Sequence, residues 1–240
     1  MLSIKKLTKL NIVLILLIAI VAPTLTVQAK ESAKGDSKVI VVDPSCQEIP
    51  NKKKEPIAPG AFKTAFKTGT GEVGKETGIR EYELNLKLAK KVKKNLEEYG
   101  YEVVLTRDSN DVDLSNSDRA MIANTTEADL YVVIGTGSSQ GVSVKCQTED
   151  NPYTFDNYDK SRLLADTLLG SIVQDSECKD NGVDEVDDYT AINWSVVPTA
   201  VVEIGDLSDI DEEAKLTNDE YQKKLAKGIA DGVESYFSQR

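Results

Sequence analysis

Hydrophobic positions along this chain fall into two alternating rhythms. Lys38–Val42 and Glu102–Thr106 are short β-branched runs, and Leu130–Ile134 and Ala200–Glu203 are nearly continuous apolar runs. Such runs predict strands buried on both faces. Gly141–Gln147 alternates apolar with polar residues, as a strand with unlike faces does. Between these segments, Leu84, Leu88, Val92 and Leu96 recur every fourth residue until Gly100, which predicts a helix with its lysines and glutamates on a solvated face. Leu114–Asn124 and Tyr158–Ser176 read as two further helices, and Leu225, Ile229, Val233 and Phe237 space a closing one. Alternating strand and helix patterns predict one α/β domain, a mostly parallel twisted sheet flanked by helices.

The first 29 residues follow a different rule. Lys5, Lys6 and Lys9 precede an unbroken apolar core from Ile12 to Ala22 and a small-residue site at Val27-Gln28-Ala29. This is the layout of a cleavable export signal, and the core is too short for a comfortable membrane span. The reading divides the chain into a signal at 1–29, a flexible stretch at 30–37 and a domain at 38–240. Any membrane attachment would run only through an uncleaved signal.

Composition narrows the ligand. The formal net charge of -11 argues against nucleic acid or an anionic membrane as partner through a basic patch. The chain has three cysteines and no histidine. Cys146 and Cys178 end a strand pattern and a helix pattern that could be neighbours. A disulfide between them is open in an oxidising exterior, although spacing does not fix the connectivity.

The least regular segment is 43–78. Within it, Gly69-Thr70-Gly71-Glu72-Val73-Gly74-Lys75-Glu76 matches the glycine and lysine positions of a phosphate-binding loop, but Glu76 replaces the Ser/Thr that would hold magnesium. Without a preceding buried strand and an immediately following helix, its amides have no evident reason to form an anion cradle, and the segment reads as a flexible surface loop. Gly135-Thr136-Gly137 is likewise too little for a dinucleotide fold.

Four segments carry a more specific pattern: V-I-V-V-D-P-S-C-Q at 39–47, G-I-R-E-Y-E-L-N-L at 78–86, A-D-L-Y-V-V-I-G-T-G at 128–137 and A-V-V-E-I-G at 200–205. E-Y-G-Y-E-V-V-L-T-R-D at 98–108, D-R-A-M-I-A-N at 118–124 and Ile192-Asn193-Trp194 extend it in collinear order. Together they resemble the zinc-dependent N-acetylmuramoyl-L-alanine amidases, in particular a Gram-positive subgroup with a longer loop after the first metal ligand. That resemblance implies zinc held by His, Glu and His, a second glutamate near the metal-bound water, and cleavage of the amide between N-acetylmuramic acid and L-alanine in peptidoglycan.

Carried over by position, Glu81 matches the glutamate ligand and Glu203 the general base. Cys46 and Gly135 stand where the two histidines would be, and Ser45 replaces a glycine. A thiolate can bind zinc, whereas Gly135 has no side chain. The expectation is therefore weak or absent zinc and no cofactor. Cys46 also lacks the histidine that would activate it as a nucleophile. Trp194 and Asn193 are candidate ligand contacts, with core packing as the alternative for the tryptophan. Three readings follow: a catalytically inactive, exported wall protein that binds peptidoglycan or muropeptides or regulates an active wall hydrolase; an active amidase with a non-standard metal site; or an exported protein-interaction module.

Overall fold

The computed structural model of this chain describes residues 37–154 and 156–240. The expected signal at 1–29 and nearly all of the 30–37 stretch lie outside these residues. The central sheet contains β1 (Val39–Pro44), β4 (Glu102–Leu105), β5 (Leu130–Gly135), β6 (Val142–Gln147), β7 (Asp180–Val186) and β8 (Thr199–Glu203). A separate hairpin is formed by β2 (Asn51–Pro56) and β3 (Thr64–Thr68). The helices are α1 (Glu81–Glu98), α2 (Asn116–Thr125), α3 (Tyr158–Ser176), α4 (Thr190–Trp194), α5 (Ile210–Thr217) and α6 (Asp219–Ser238). The sheet order is β4-β1-β5-β8-β6-β7, with every pairing parallel except β6 against β8. The expected mostly parallel α/β domain is therefore the one observed.

Strand alternation builds two hydrophobic layers. Ile40, Val42, Leu130, Val132, Ile134, Ala200 and Val202 join the apolar stripes of α1, α3 and α6. Val41, Tyr131, Val133 and Val201 join Ala120 and Ala123 of α2 and Ala191 and Ile192 of α4. Because successive side chains of a strand point to opposite faces, continuous apolar runs are what a sheet covered on both sides requires. The closest helix contact uses glycine: a Cβ at Gly228 or Gly232 of α6 would lie 2.6 Å from the Cα of Ile172 or Leu168 on α3. α2 begins where Ser115 Oγ accepts from Asp118 N and Asp118 returns a bond to Ser115 N, a reciprocal N-terminal cap.

Two expectations are corrected. The 43–78 segment is not irregular throughout, since it contains the β2–β3 hairpin. Its lysine-rich strand buries only Glu55, so it lacks the apolar alternation by which strands are read. The second correction is that all three cysteines are free. Val142, at the start of β6, pairs with Asp180, placing Cys178 near that end of the strand, while Cys146 lies four positions further along. At about 3.3 Å per residue that offset is roughly 13 Å, beyond the ~7 Å Cα separation that a disulfide tolerates.

Candidate functional site

β1, β5 and β8 are parallel neighbours, so their carboxyl ends emerge together, the usual location of ligand sites in open α/β sheets. Three of the four site positions read from the sequence follow directly. Cys46 lies just beyond β1, Gly135 ends β5, and Glu203 ends β8 in register with Gly135. Glu81, the fourth, opens α1 and reaches the same place from above. The sequence-predicted residues are thus brought together, although not in a form that presents free ligands.

The Glu81 carboxylate is buried and surrounded by donors. It accepts from Glu72 N at 2.9 Å, Thr136 N at 3.2 Å and the Asn85 side-chain amide at 3.3 Å. Gly71 packs so closely that a Cβ there would collide with this carboxylate. Glu81 thereby ties the loop after β3 to the end of β5.

Cys46 is half-buried and sits at φ 63, the left-handed region that a non-glycine residue enters at a cost. The conformation is held from both sides: Arg119 Nη2 donates to Cys46 O at 3.2 Å, and Gln47 N donates to Gly69 O at 3.1 Å. Burial, together with the neighbouring Glu81 carboxylate, pushes the Cys46 thiol up to about 12. At neutral pH it is a thiol, whereas both nucleophilic attack and metal ligation need the thiolate. Gly135 contributes no donor, and the space beside it is taken: a Cβ there would stand 2.8 Å from Ser45 Oγ, which itself accepts from the Asn85 amide at 3.0 Å.

Glu203 is not a free base. Lys145 of β6 forms an ion pair with it, and Ser143 Oγ donates to the same carboxylate oxygen at 3.2 Å. Both partners come from the antiparallel β6–β8 pairing, in which Ser143 lies opposite Glu203. The sequence reading missed Lys145 because it took the alternation of 141–147 for a strand signal and did not ask what its polar face meets. Tyr189, just before α4, was also missed. Burial, and then the carboxylates of Glu203, Asp43 and Glu81, raise its phenol, so it remains protonated beside this group of residues. No periodicity or motif marks it.

The two proposed contacts have internal partners. Asn193 is buried, accepts from the Asn151 amide at 2.9 Å and donates to Asp187 O at 2.8 Å. Trp194 donates its indole N–H to Pro56 O at 2.9 Å, tying α4 to the β2–β3 hairpin.

Beneath the site lies a buried ion pair. Asp43 accepts from Arg119 at 2.7 Å and from the Tyr131 hydroxyl at 3.0 Å, and bonds Thr106 as well. Arg119 also donates to Pro44 O and the Gln47 side chain, at 3.1 and 2.8 Å. With Arg107, which donates to Pro44 O at 2.9 Å and Ser45 O at 3.3 Å, it shapes the turn that carries Ser45 and Cys46.

Glu76, at the end of the glycine-rich segment, and Thr77 just beyond it cradle an anion, but it is a carboxylate of the chain itself and not a phosphate. The Glu213 carboxylate of α5 accepts from Glu76 N at 2.9 Å, Thr77 N at 2.7 Å and Thr77 Oγ1 at 2.6 Å. These bonds hold Glu213 below the usual glutamate value, the Thr77 hydroxyl contributing most. A carboxylate with a depressed folded-state pKa adds stability above its unfolded value of 4.5, and that stability is lost as pH falls through the folded value. The thermal midpoint is expected to fall on acidification below about pH 4.5, and Glu213→Gln should lower it at pH 7 while flattening that acid limb, measured by circular dichroism melts.

Residues 52–235 match the family model described as N-acetylmuramoyl-L-alanine amidase. The chain belongs to this amidase family. Among its relatives, the uncharacterized Bacillus subtilis protein YqiI is 33% identical over 71% of this chain and 80% of its own length. The Bacillus subtilis N-acetylmuramoyl-L-alanine amidase LytC is 30% identical over 70% of this chain but only 33% of its own. The chain thus spans about a third of that relative's length. An N-acetylmuramoyl-L-alanine amidase from Clostridium difficile 630 superposes with a TM-score of 0.71 at 25% identity, covering 86% of this chain and all of that one.

For this amidase-family chain, zinc is the group to test against the residues present. A catalytic zinc site needs three protein ligands and an open position. At the three positions that the resemblance matches to metal ligands, only Cys46 and Glu81 carry donor atoms, and among the described residues no group of three or more Cys, Asp or Glu side chains is placed to hold a metal. The donor set does not fit zinc. Among the described residues, no helix is long and apolar enough to cross a membrane.

Proposed function

We propose that this member of the amidase family is an exported protein that binds peptidoglycan fragments without cleaving them. The observation that carries this reading is the filled site: Ser45 Oγ occupies the space beside Gly135, while Glu81 is engaged by three N–H donors. The Lys145 ion pair further supports it, because the Glu203 oxygen that would face a water is already engaged by Lys145 and by the Ser143 hydroxyl. With neither a third ligand nor a free base, amide hydrolysis has no activated water. A cavity of about 340 Å³ beside Glu203, lined by Ser138, Ser139, Ser143, Lys145 and Asn181, is suited to hold a polar muropeptide fragment.

The test combines two measurements on the purified full chain. Zinc analysis after dialysis should find far less than one metal per chain, and a peptidoglycan digest should release no new lactyl or L-alanine termini above buffer. Calorimetric titration with soluble muropeptides should show saturable binding. Stoichiometric zinc together with cleavage abolished by Glu203→Gln would establish an active amidase, and absence of binding would favour a protein-interaction role.

A further inference from the structure

The β2–β3 hairpin is a cationic surface on an acidic protein. It carries Lys52, Lys53, Lys54, Lys63 and Lys67, and of these only Lys63 has an acidic partner among the described residues, Asp188 at 3.0 Å. Its single acidic side chain, Glu55, is buried, where it accepts from Ser117 N at 3.3 Å. Phe66 is 59% exposed, with the Lys54 ammonium 5.9 Å from its ring centre.

A groove of about 550 Å³ runs between this hairpin and the loop that follows it. Lys52, Phe66, Thr68 and Asn116 line it, together with Gly69-Thr70-Gly71. The groove leads to the candidate site, because Gly71 lies against the Glu81 carboxylate and the next residue, Glu72, donates to it.

We infer that this groove is the subsite for a short, carboxylate-bearing peptide, namely the peptide stem of the muropeptide proposed above. The inference rests on that proposed function and adds where and how the peptide is held. Lys52 pairs with a peptide carboxylate, Phe66 covers an apolar side chain, and Asn116 with the 69–71 backbone supplies hydrogen bonds. The size is that of a small-ligand site, roughly 300–1,000 Å³. A long polyanion is disfavoured by the chain's net charge of -11.

The test is calorimetric titration of the full chain with a soluble disaccharide-peptide, with the same compound after amidation of its carboxylates, and with inorganic polyphosphate. The parent should bind the native compound about 10-fold more tightly than the amidated one, the scale of one hydrogen bond to a charged group. Lys52→Met should erase that difference, and Phe66→Ala should weaken both compounds to a similar degree. Both residues are exposed on the hairpin, and unchanged melting curves would establish that the variants fold. If the parent binds the native compound and both variants bind it equally well, the groove assignment is overturned while muropeptide binding stands. If the parent binds neither compound, the proposed function falls and takes the groove's occupant with it. Polyphosphate binding tighter than the peptide would overturn the inference in favour of a polyanion surface.

Discussion

The triple variant Ser45→Gly/Cys46→His/Gly135→His is expected to bind zinc at least ~100-fold more tightly than the parent, more than the effect usually seen for a single outer partner of a metal ligand. Histidines at 46 and 135 would complete a three-ligand set with Glu81. The sequence alone suggests that the double change at 46 and 135 is enough. The structure adds the third substitution, because a side chain at 135 must displace the Ser45 hydroxyl standing 2.8 Å from its Cβ. Competition titration against a chromogenic chelator measures the effect. The order expected is triple, then double, then parent. A triple variant no tighter than the parent would show that these positions do not converge as described.

Arg119→Met is expected to cost about 3–5 kcal/mol of folding stability, the usual penalty for removing one partner of a buried ion pair. Both partners are almost inaccessible, with side-chain exposures of 1% and 2%. The substitution strands Asp43 and also removes donors from Pro44 O, Cys46 O and the Gln47 side chain. Urea unfolding should show a lower midpoint with little change in slope, since the surface exposed on unfolding stays the same. Asp43→Asn should cost less, because an amide oxygen still accepts from the guanidinium and from Tyr131. A loss below about 1 kcal/mol for Arg119→Met, the range of exposed pairs, would show that the interaction is solvated.

The sheet and its large helices were legible because burial on two faces imposes runs and periods that few other structures produce. Tyr158–Ser176 was read with the bounds later observed for α3. The β2–β3 hairpin was not legible, because Lys52, Lys53 and Lys54 are exposed in succession and the one buried residue of β2 is charged. β7 escaped for a related reason: its sequence D-N-G-V-D-E-V is that of a polar edge strand, with no residue fully buried. Within the site, the positions of Cys46, Glu81, Gly135 and Glu203 came from collinear motifs. What surrounds them came only from cross-strand register and loop packing. Lys145 meets Glu203 because β6 runs antiparallel to β8, a relation between segments more than 50 residues apart that no local pattern contains. The cradle at 69–77 was visible as glycine spacing, but its occupant was not, because the carboxylate lies on a helix far along the chain.

That separation affects how the protein is made. Thr77 and Glu213 are 136 residues apart, and Glu81 caps the same loop from its other end. During synthesis, at roughly 5–20 residues per second, β1, β4 and β5 can emerge and pair with one another before Glu213 leaves the ribosome, whereas β6 waits for β7 and β8. Until then the amides of Glu76 and Thr77 face water, while the first half of the loop is already held by Gln47 N on Gly69 O and by the bonds between Glu72 and Glu81. The core and this loop are therefore completed by the same last part of the chain, so a ribosome stalled before α5 would display neither the closed core, which needs the apolar stripe of α6, nor the latched loop.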